Sequence, residues 1–190
     1  MSSRGKLIVI SAPSGGGKTT IAQEILARHT NIQFSVSATT RKKRENEEHG
    51  RDYFFLTRKE FEEKISQGEL AEYEVIYGDY YGSLKSIVED ALAEKRPLLF
   101  DIDVNGALSI KRKYLKDTIL IFIKPPSLEV LKERILKRST EDEVTVRKRF
   151  ERVPMELEKG KSFDYEVAND DLQKAINEVD EIVKKSIEDC

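Results

Sequence analysis

Ala12–Thr19 reads A-P-S-G-G-G-K-T. It follows the apolar run Leu7-Ile8-Val9-Ile10 and leads into Thr20-Ile21-Ala22-Gln23-Glu24-Ile25-Leu26, whose apolar residues recur at helical spacing. Strand, glycine loop, Lys-Thr and helix, in that order, make a cradle for a triphosphate. Glycines let the backbone curl so that successive N–H groups face phosphate oxygens. The following helix adds the partial positive charge of its N-terminus. Lys18 can then reach the β- and γ-phosphates, and the Thr19 hydroxyl can ligate Mg²⁺. The first position of the G-x-x-x-x-G-K-[ST] pattern is Ala12, the smallest substitute for glycine. The candidate donor site is Ala12, Pro13, Ser14, Gly15, Gly16, Gly17, Lys18, Thr19 and Thr20. A flexible glycine linker is the alternative, and the strand before the loop and the helix after it argue against that.

The whole chain bounds what this loop can serve. A length of 190 residues suits one domain with small inserted modules and can bury a substantial core. Lys+Arg 33 against Asp+Glu 35 gives a net charge of −2. That balance offers no general attraction to nucleic acid or to an anionic membrane, so any basic site must be local. Charged residues make up 36% of the chain, against roughly 25% in an average soluble domain, so an isolated pair of arginines means little by itself. Cys190 has no partner for an intrachain disulfide. No apolar stretch approaches the roughly 18 residues of a membrane span, and the first residues lack an apolar signal region, so a cytoplasmic protein is expected.

Residues 6–11, 97–101 and 118–124 read as short buried strands, and 165–169 as a weaker one. Helical patterns fall at 19–28, 58–67, 87–94, 104–114, 128–138, 144–158 and 172–187. Strands alternating with helices predict an α/β fold, a P-loop three-layer arrangement with a parallel sheet flanked by helices. Two stretches break the rhythm. Residues 35–83 are polar and aromatic, with one clear helix; residues 127–158 are helical and highly charged. Both are expected as modules inserted over the C-terminal edge of the sheet, where α/β folds bind ligands. The expected division is a core of 1–34, 84–126 and 159–190, an acceptor module at 35–83 and a lid at 127–158.

A P-loop names the phosphate donor and not the acceptor. The segment Ser35–Phe55 reads S-V-S-A-T-T-R-K-K-R-E-N-E-E-H-G-R-D-Y-F-F, Glu72–Ser83 reads E-Y-E-V-I-Y-G-D-Y-Y-G-S, and Leu99–Ala107 reads L-F-D-I-D-V-N-G-A. Together with the P-loop, these segments resemble the guanylate kinase family over nearly the whole chain, as far as Asn169-Asp170-Asp171. The resemblance implies ATP and GMP as substrates and GMP contacts at Ser37, Arg41, Arg44, Glu47, Tyr53, Glu72, Tyr81, Ser83 and Asp103. The residue types suit that ligand. Arg41 and Arg44 can hold a phosphate dianion through bidentate guanidinium groups, and the phenols of Tyr53 and Tyr81 can donate to it. An ionised Glu72 accepts where guanine donates, from N1–H and N2–H₂, whereas adenine offers an unprotonated N1.

Leu98-Leu99-Phe100-Asp101 is an apolar strand ending in a carboxylate, the place where a P-loop fold orients Mg²⁺ through water. Asp103 suits a helix N-cap, and the resemblance adds a guanine or ribose contact; both roles stay open. Asn105 stands where the family often has Gln and is expected to be without consequence. Arg134 and Arg138 share one face of a helix, and Arg149 and Arg152 share another. The family lid points to Arg134, Arg138 and Arg149, with Ser139 where the family usually has Gly. Asn169 resembles the family's adenine contact, with a turn or cap before Leu172 as its rival role. The implied reaction is ATP + GMP ⇌ ADP + GDP, Mg²⁺-dependent, with Lys18, Arg41, Asp101, Arg138 and Arg149 as the catalytic set and no nucleophilic side chain. Two rivals remain. A ribose 1,5-bisphosphate kinase would have no use for a guanine pocket, and a non-catalytic guanylate-kinase-like binding module would not need an intact Lys18 and Thr19.

Overall fold

Alternation along one strand organises the core. In β1 (Leu7–Ser11) every residue is buried, and successive side chains point to opposite faces of the sheet. Ile8 and Ile10 join one apolar layer with Ile21 and Ile25 of α1 (Lys18–Arg28) and Val179 and Val183 of α7 (Leu172–Glu188). Leu7 and Val9 join the other, with Val88 and Leu92 of α3 (Lys85–Ala93) and Ile110 of α4 (Val104–Lys113). A continuous apolar run is what a parallel strand covered on both faces requires. The computed structural model describes residues 5–138 and 143–188, without the side chains of 137, 138 and 143–145.

The main sheet is parallel and five-stranded. β1 lies at its centre between β7 (Leu98–Asp101) and β8 (Thr118–Lys124), with β2 (Gln33–Phe34) and β9 (Tyr165–Ala168) at the edges. Ile10 pairs with Asp101, so the β7 carboxylate emerges beside the loop that leaves β1. The expected strands and helices of the core are present with ends shifted by at most two residues; β2, only two residues long, gave no sequence signal.

The segment 35–83 differs from its reading as a polar region with one helix. Besides α2 (Arg58–Ser66) it contributes a second, four-stranded sheet in the order β4 (Phe54–Phe55), β3 (Ser37–Thr39), β6 (Asp79–Leu84), β5 (Leu70–Ile76). One face of this sheet packs on α2 through Ala38, Tyr80 and Leu84 around the fully buried Phe61. Gly82 is required there, because a Cβ would meet the Phe61 ring and the Tyr73 Cβ at 3.0 Å. α2 itself starts on a capping box between Thr57 and Glu60.

The segment expected as a lid holds α5 (Leu128–Arg138) and α6 (Glu143–Gly160). Leu131, Ile135 and Val153 form a small core of their own between these helices. Pro154 lies inside α6, where its missing N–H leaves the Phe150 carbonyl without its usual helical donor. Gly15 of the P-loop lies against Leu131 and Ile135, so α5 is seated on the loop. Among the described residues no helix is long and apolar enough to cross a membrane.

Candidate active site

The loop between β1 and α1 has the geometry its glycines allow. Gly15 (φ 81°) and Gly17 (φ 95°) are in the left-handed region, and Gly17 caps α1 with no side-chain oxygen. The first N–H groups of α1 are therefore left to an anion rather than to a capping side chain, and no acidic residue stands in its first turn. A Cβ on Gly17 would collide with the amide of Asn169. At 2% exposure, Asn169 donates from Nδ2 to the Gly16 carbonyl at 2.8 Å. Its side chain thus braces the loop from behind, a role that neither the adenine contact nor the turn anticipated. The Arg134 guanidinium donates to the Asn169 carbonyl at 3.3 Å.

Asp101 gathers the two chemical groups of the loop. Its carboxylate pairs with the Lys18 ammonium through one oxygen and accepts from the Thr19 hydroxyl at 2.8 Å through the other. Hydroxyl and carboxylate oxygens are the hard donors that Mg²⁺ takes, alongside phosphate and water. This pair fits the ion without a dedicated protein cage, and no cluster of three or more His, Cys, Asp or Glu suited to a metal occurs among the described residues.

Facing the P-loop across a cleft of about 300 Å³ is the free face of the second sheet. Its register aligns the candidate guanine readers. Ser37 pairs with Ser83, and Ser83 with Glu72, so the three stand in one transverse row on β3, β6 and β5. The next row is Thr39, Tyr81 and Glu74. Ser37, Glu72, Glu74, Tyr81 and Tyr53 line the cleft, and the Tyr53 and Tyr81 rings meet edge to face at 6.1 Å. Arg41 is held by Glu47 through two bonds of 3.1 and 2.7 Å and lies 5.3 Å from the Tyr53 ring centre. That hydrogen bonding raises the Arg41 pKa and lowers that of Glu47. Glu47 also accepts from the Arg44 backbone N–H at 2.8 Å, so one carboxylate shapes the whole turn that carries both arginines.

Glu72 is 5% exposed and accepts from the Ser83 hydroxyl at 2.6 Å. Gly106 lets it in: a Cβ there would stand 2.6 Å from Glu72 Oε2. Burial, reinforced by the nearby Asp103 and Glu74 charges, pushes its carboxyl up to about 7 from the ordinary 4.5. A pKa raised on folding adds stability that is complete below about 4.5 and is lost as the pH climbs through about 7. The denaturation midpoint of the wild type, compared with Glu72→Gln, is therefore expected to fall between pH 5 and 8. Parallel pH profiles for the two proteins would contradict this.

Asp103 caps α4, accepting from Gly106 N–H at 3.0 Å, and its other oxygen takes Arg152 at 3.0 Å. Arg149 and Arg152 both line the cleft, whereas the Arg138 side chain and Ser139 lie outside the described residues. Thr20 sits in the first turn of α1, and neither it nor Arg41, Arg44, Glu47, Ser83, Arg134 or Asn169 is among the residues that line the cleft. Sequence reading missed Glu74 and Glu156, both of which line it. Glu156 is one carboxylate in a charged helix and Glu74 a half-buried one on β5, and neither has a distinguishing mark in the sequence.

The family model described as guanylate kinase matches residues 4–186. The chain belongs to the guanylate kinase family. It is 48% identical to the guanylate kinase of Chlorobium chlorochromatii over 176 residues, 93% of each chain. It is also 48% identical to that of Thermotoga maritima over 181 residues, 95% of this chain and 87% of the relative. Among solved structures, the guanylate kinase from Anaplasma phagocytophilum superposes with a TM-score of 0.79 at 30% identity, covering 97% of this chain and 87% of that one. The protein is thus an enzyme of the nucleoside monophosphate kinase class, and its parallel sheet with flanking helices is the P-loop kinase fold.

Proposed function

We propose that this kinase transfers the γ-phosphoryl group of ATP to GMP, giving ADP and GDP, within the one cleft. The observation that carries the reading is the transverse row Ser37–Ser83–Glu72, whose two ends, Ser37 and Glu72, line the same cleft as the P-loop. A buried carboxylate at the end of a row of two hydroxyls matches the donor-rich edge of guanine and leaves adenine's N1 lone pair unpaired. The acceptor phosphate then falls to Arg41, Arg44, Tyr53 and Tyr81, and the donor phosphates to the loop N–H groups and Lys18.

In this reading the chemistry is positioning and charge neutralisation, with no covalent enzyme intermediate. Lys18 and the lid arginines Arg134, Arg138 and Arg149 balance the charge that spreads over the transferring group. The Thr19 hydroxyl and, through water, Asp101 would hold Mg²⁺ brought with ATP, which would supply positive charge to neutralise the phosphates. α5 and α6 exclude water from the cleft, which strengthens each of these interactions.

Initial rates of ADP release with Mg-ATP and GMP, dGMP, AMP, UMP, CMP or ribose 1,5-bisphosphate test the assignment. Turnover is expected to favour GMP over AMP by at least about 10²-fold, as a mispaired buried polar edge implies. Equal turnover of AMP, or a preference for ribose 1,5-bisphosphate, would overturn it.

A further inference from the structure

One arginine that the family resemblance leaves unassigned bridges the two halves of the cleft. Arg152 projects from α6 with its side chain 20% exposed, toward Asp103 at 13% and Glu156 at 8%. It reaches Asp103 at 3.0 Å and Glu156, one turn along its own helix, at 3.4 Å. Its guanidinium also lies 5.7 Å from the centre of the Tyr77 ring. Tyr77 and Gly78, both at positive φ, form the two-residue tip of the β5–β6 hairpin. Glu156 lines the cleft together with Ser14 of the P-loop. Burial raises its pKa, and its Oε2 has no hydrogen-bond partner among the described residues.

These contacts form one chain that starts on the cleft wall shared with Ser14: Glu156 to Arg152, Arg152 to Asp103, and Asp103 to Gly106 N–H, beside the Glu72 carboxylate. A second link from the same helix runs parallel to it. Lys159 donates to Asn105, whose amide donates to Glu74 of β5 at 3.5 Å. Asn105 therefore links α6 to β5, a contact that its sequence gave no reason to expect. Largely buried ion pairs of this kind are sensitive to the loss of one partner, because the other is left charged and unpaired.

We propose that Arg152 is a positioning residue that couples the two substrates: it transmits engagement of α6 with the P-loop to Asp103 and the hairpin tip, so that a donor nucleotide tightens the acceptor pocket. The inference rests on the phosphotransfer reading of the cleft. Arginine suits the task because its planar fork can hold two carboxylates and stack on a ring at once, which a lysine ammonium cannot do. By linkage, the factor by which a donor analogue tightens GMP must equal the factor by which GMP tightens the analogue.

The test is calorimetric titration of GMP into the full-length enzyme, with and without a saturating non-hydrolysable ATP analogue and Mg²⁺. The wild type is expected to bind GMP about five-fold or more tightly with the analogue present. Arg152→Gln should bring that ratio to about one, and Arg152→Lys should leave an intermediate value. A merely structural role would lower the melting temperature and leave the ratio unchanged. A wild-type ratio of one, or an undiminished ratio in Arg152→Gln, would overturn the proposal. Should the Gln variant fail to fold, Arg152→Lys decides, an undiminished ratio again being the adverse result. Turnover of GMP by the wild type separates the two levels. Absent turnover overturns the functional reading together with this inference, whereas normal turnover with an unchanged ratio overturns the inference alone.

Discussion

Lys18→Ala is expected to lower kcat by about 10³-fold or more, the scale of losing a fixed charge aimed at a transferring phosphoryl group in a water-poor site. The melting temperature should change little. The Lys18 ammonium faces Asp101 at the mouth of the cleft, and no part of the apolar layers depends on it. Removing it leaves the Asp101 carboxylate with the Thr19 hydroxyl as its remaining partner. Steady-state rates and a thermal melt of the same preparation check both halves of the expectation. Near-normal kcat in a folded variant would remove the P-loop from the catalytic assignment.

Replacing Glu72 by Ala acts on the other substrate. GMP binding should weaken by about 2–4 kcal/mol, the cost of losing a charged hydrogen-bond acceptor in a buried site. ATP binding should stay as it is, and the preference for GMP over AMP should collapse. Removing this buried side chain also deprives the buried Ser83 hydroxyl of its 2.6 Å acceptor, so a thermal melt of the variant beside the titrations separates lost binding from lost stability. Titrations of GMP and AMP into wild type and variant measure the effect, and an unchanged GMP/AMP preference would mean that another residue reads the base.

The donor half of the cleft was legible in the sequence because its signals are local. A buried strand, glycines and Lys-Thr lie within a dozen residues, and the Asp101 carboxylate closes an apolar strand that the fold must place next to β1. The acceptor half was legible only through resemblance. In β5, Leu70–Ile76, Glu72 and Glu74 alternate with Tyr73 and Val75, but the glutamates line the cleft and the apolar pair is exposed, the reverse of what such alternation predicts. The strand exists because cross-strand partners on β6 and Phe61 beneath the sheet supply what the local pattern lacks. The Glu156–Arg152–Asp103 chain could not be read at all. Its members are 49 residues apart or one helical turn apart in a run of charge, and only packing of α6 across the cleft gives them meaning. Asn169 shows the same limit: its N-D-D setting suggested a ligand contact or a turn, while the fold uses its amide to brace Gly16.

The most direct test of the account is a ³¹P NMR spectrum of the products formed when purified enzyme is mixed with Mg-ATP and GMP. The account predicts ADP and GDP in equal amounts, with no inorganic phosphate released. ADP with inorganic phosphate and unchanged GMP, or no consumption of ATP at all, would contradict it.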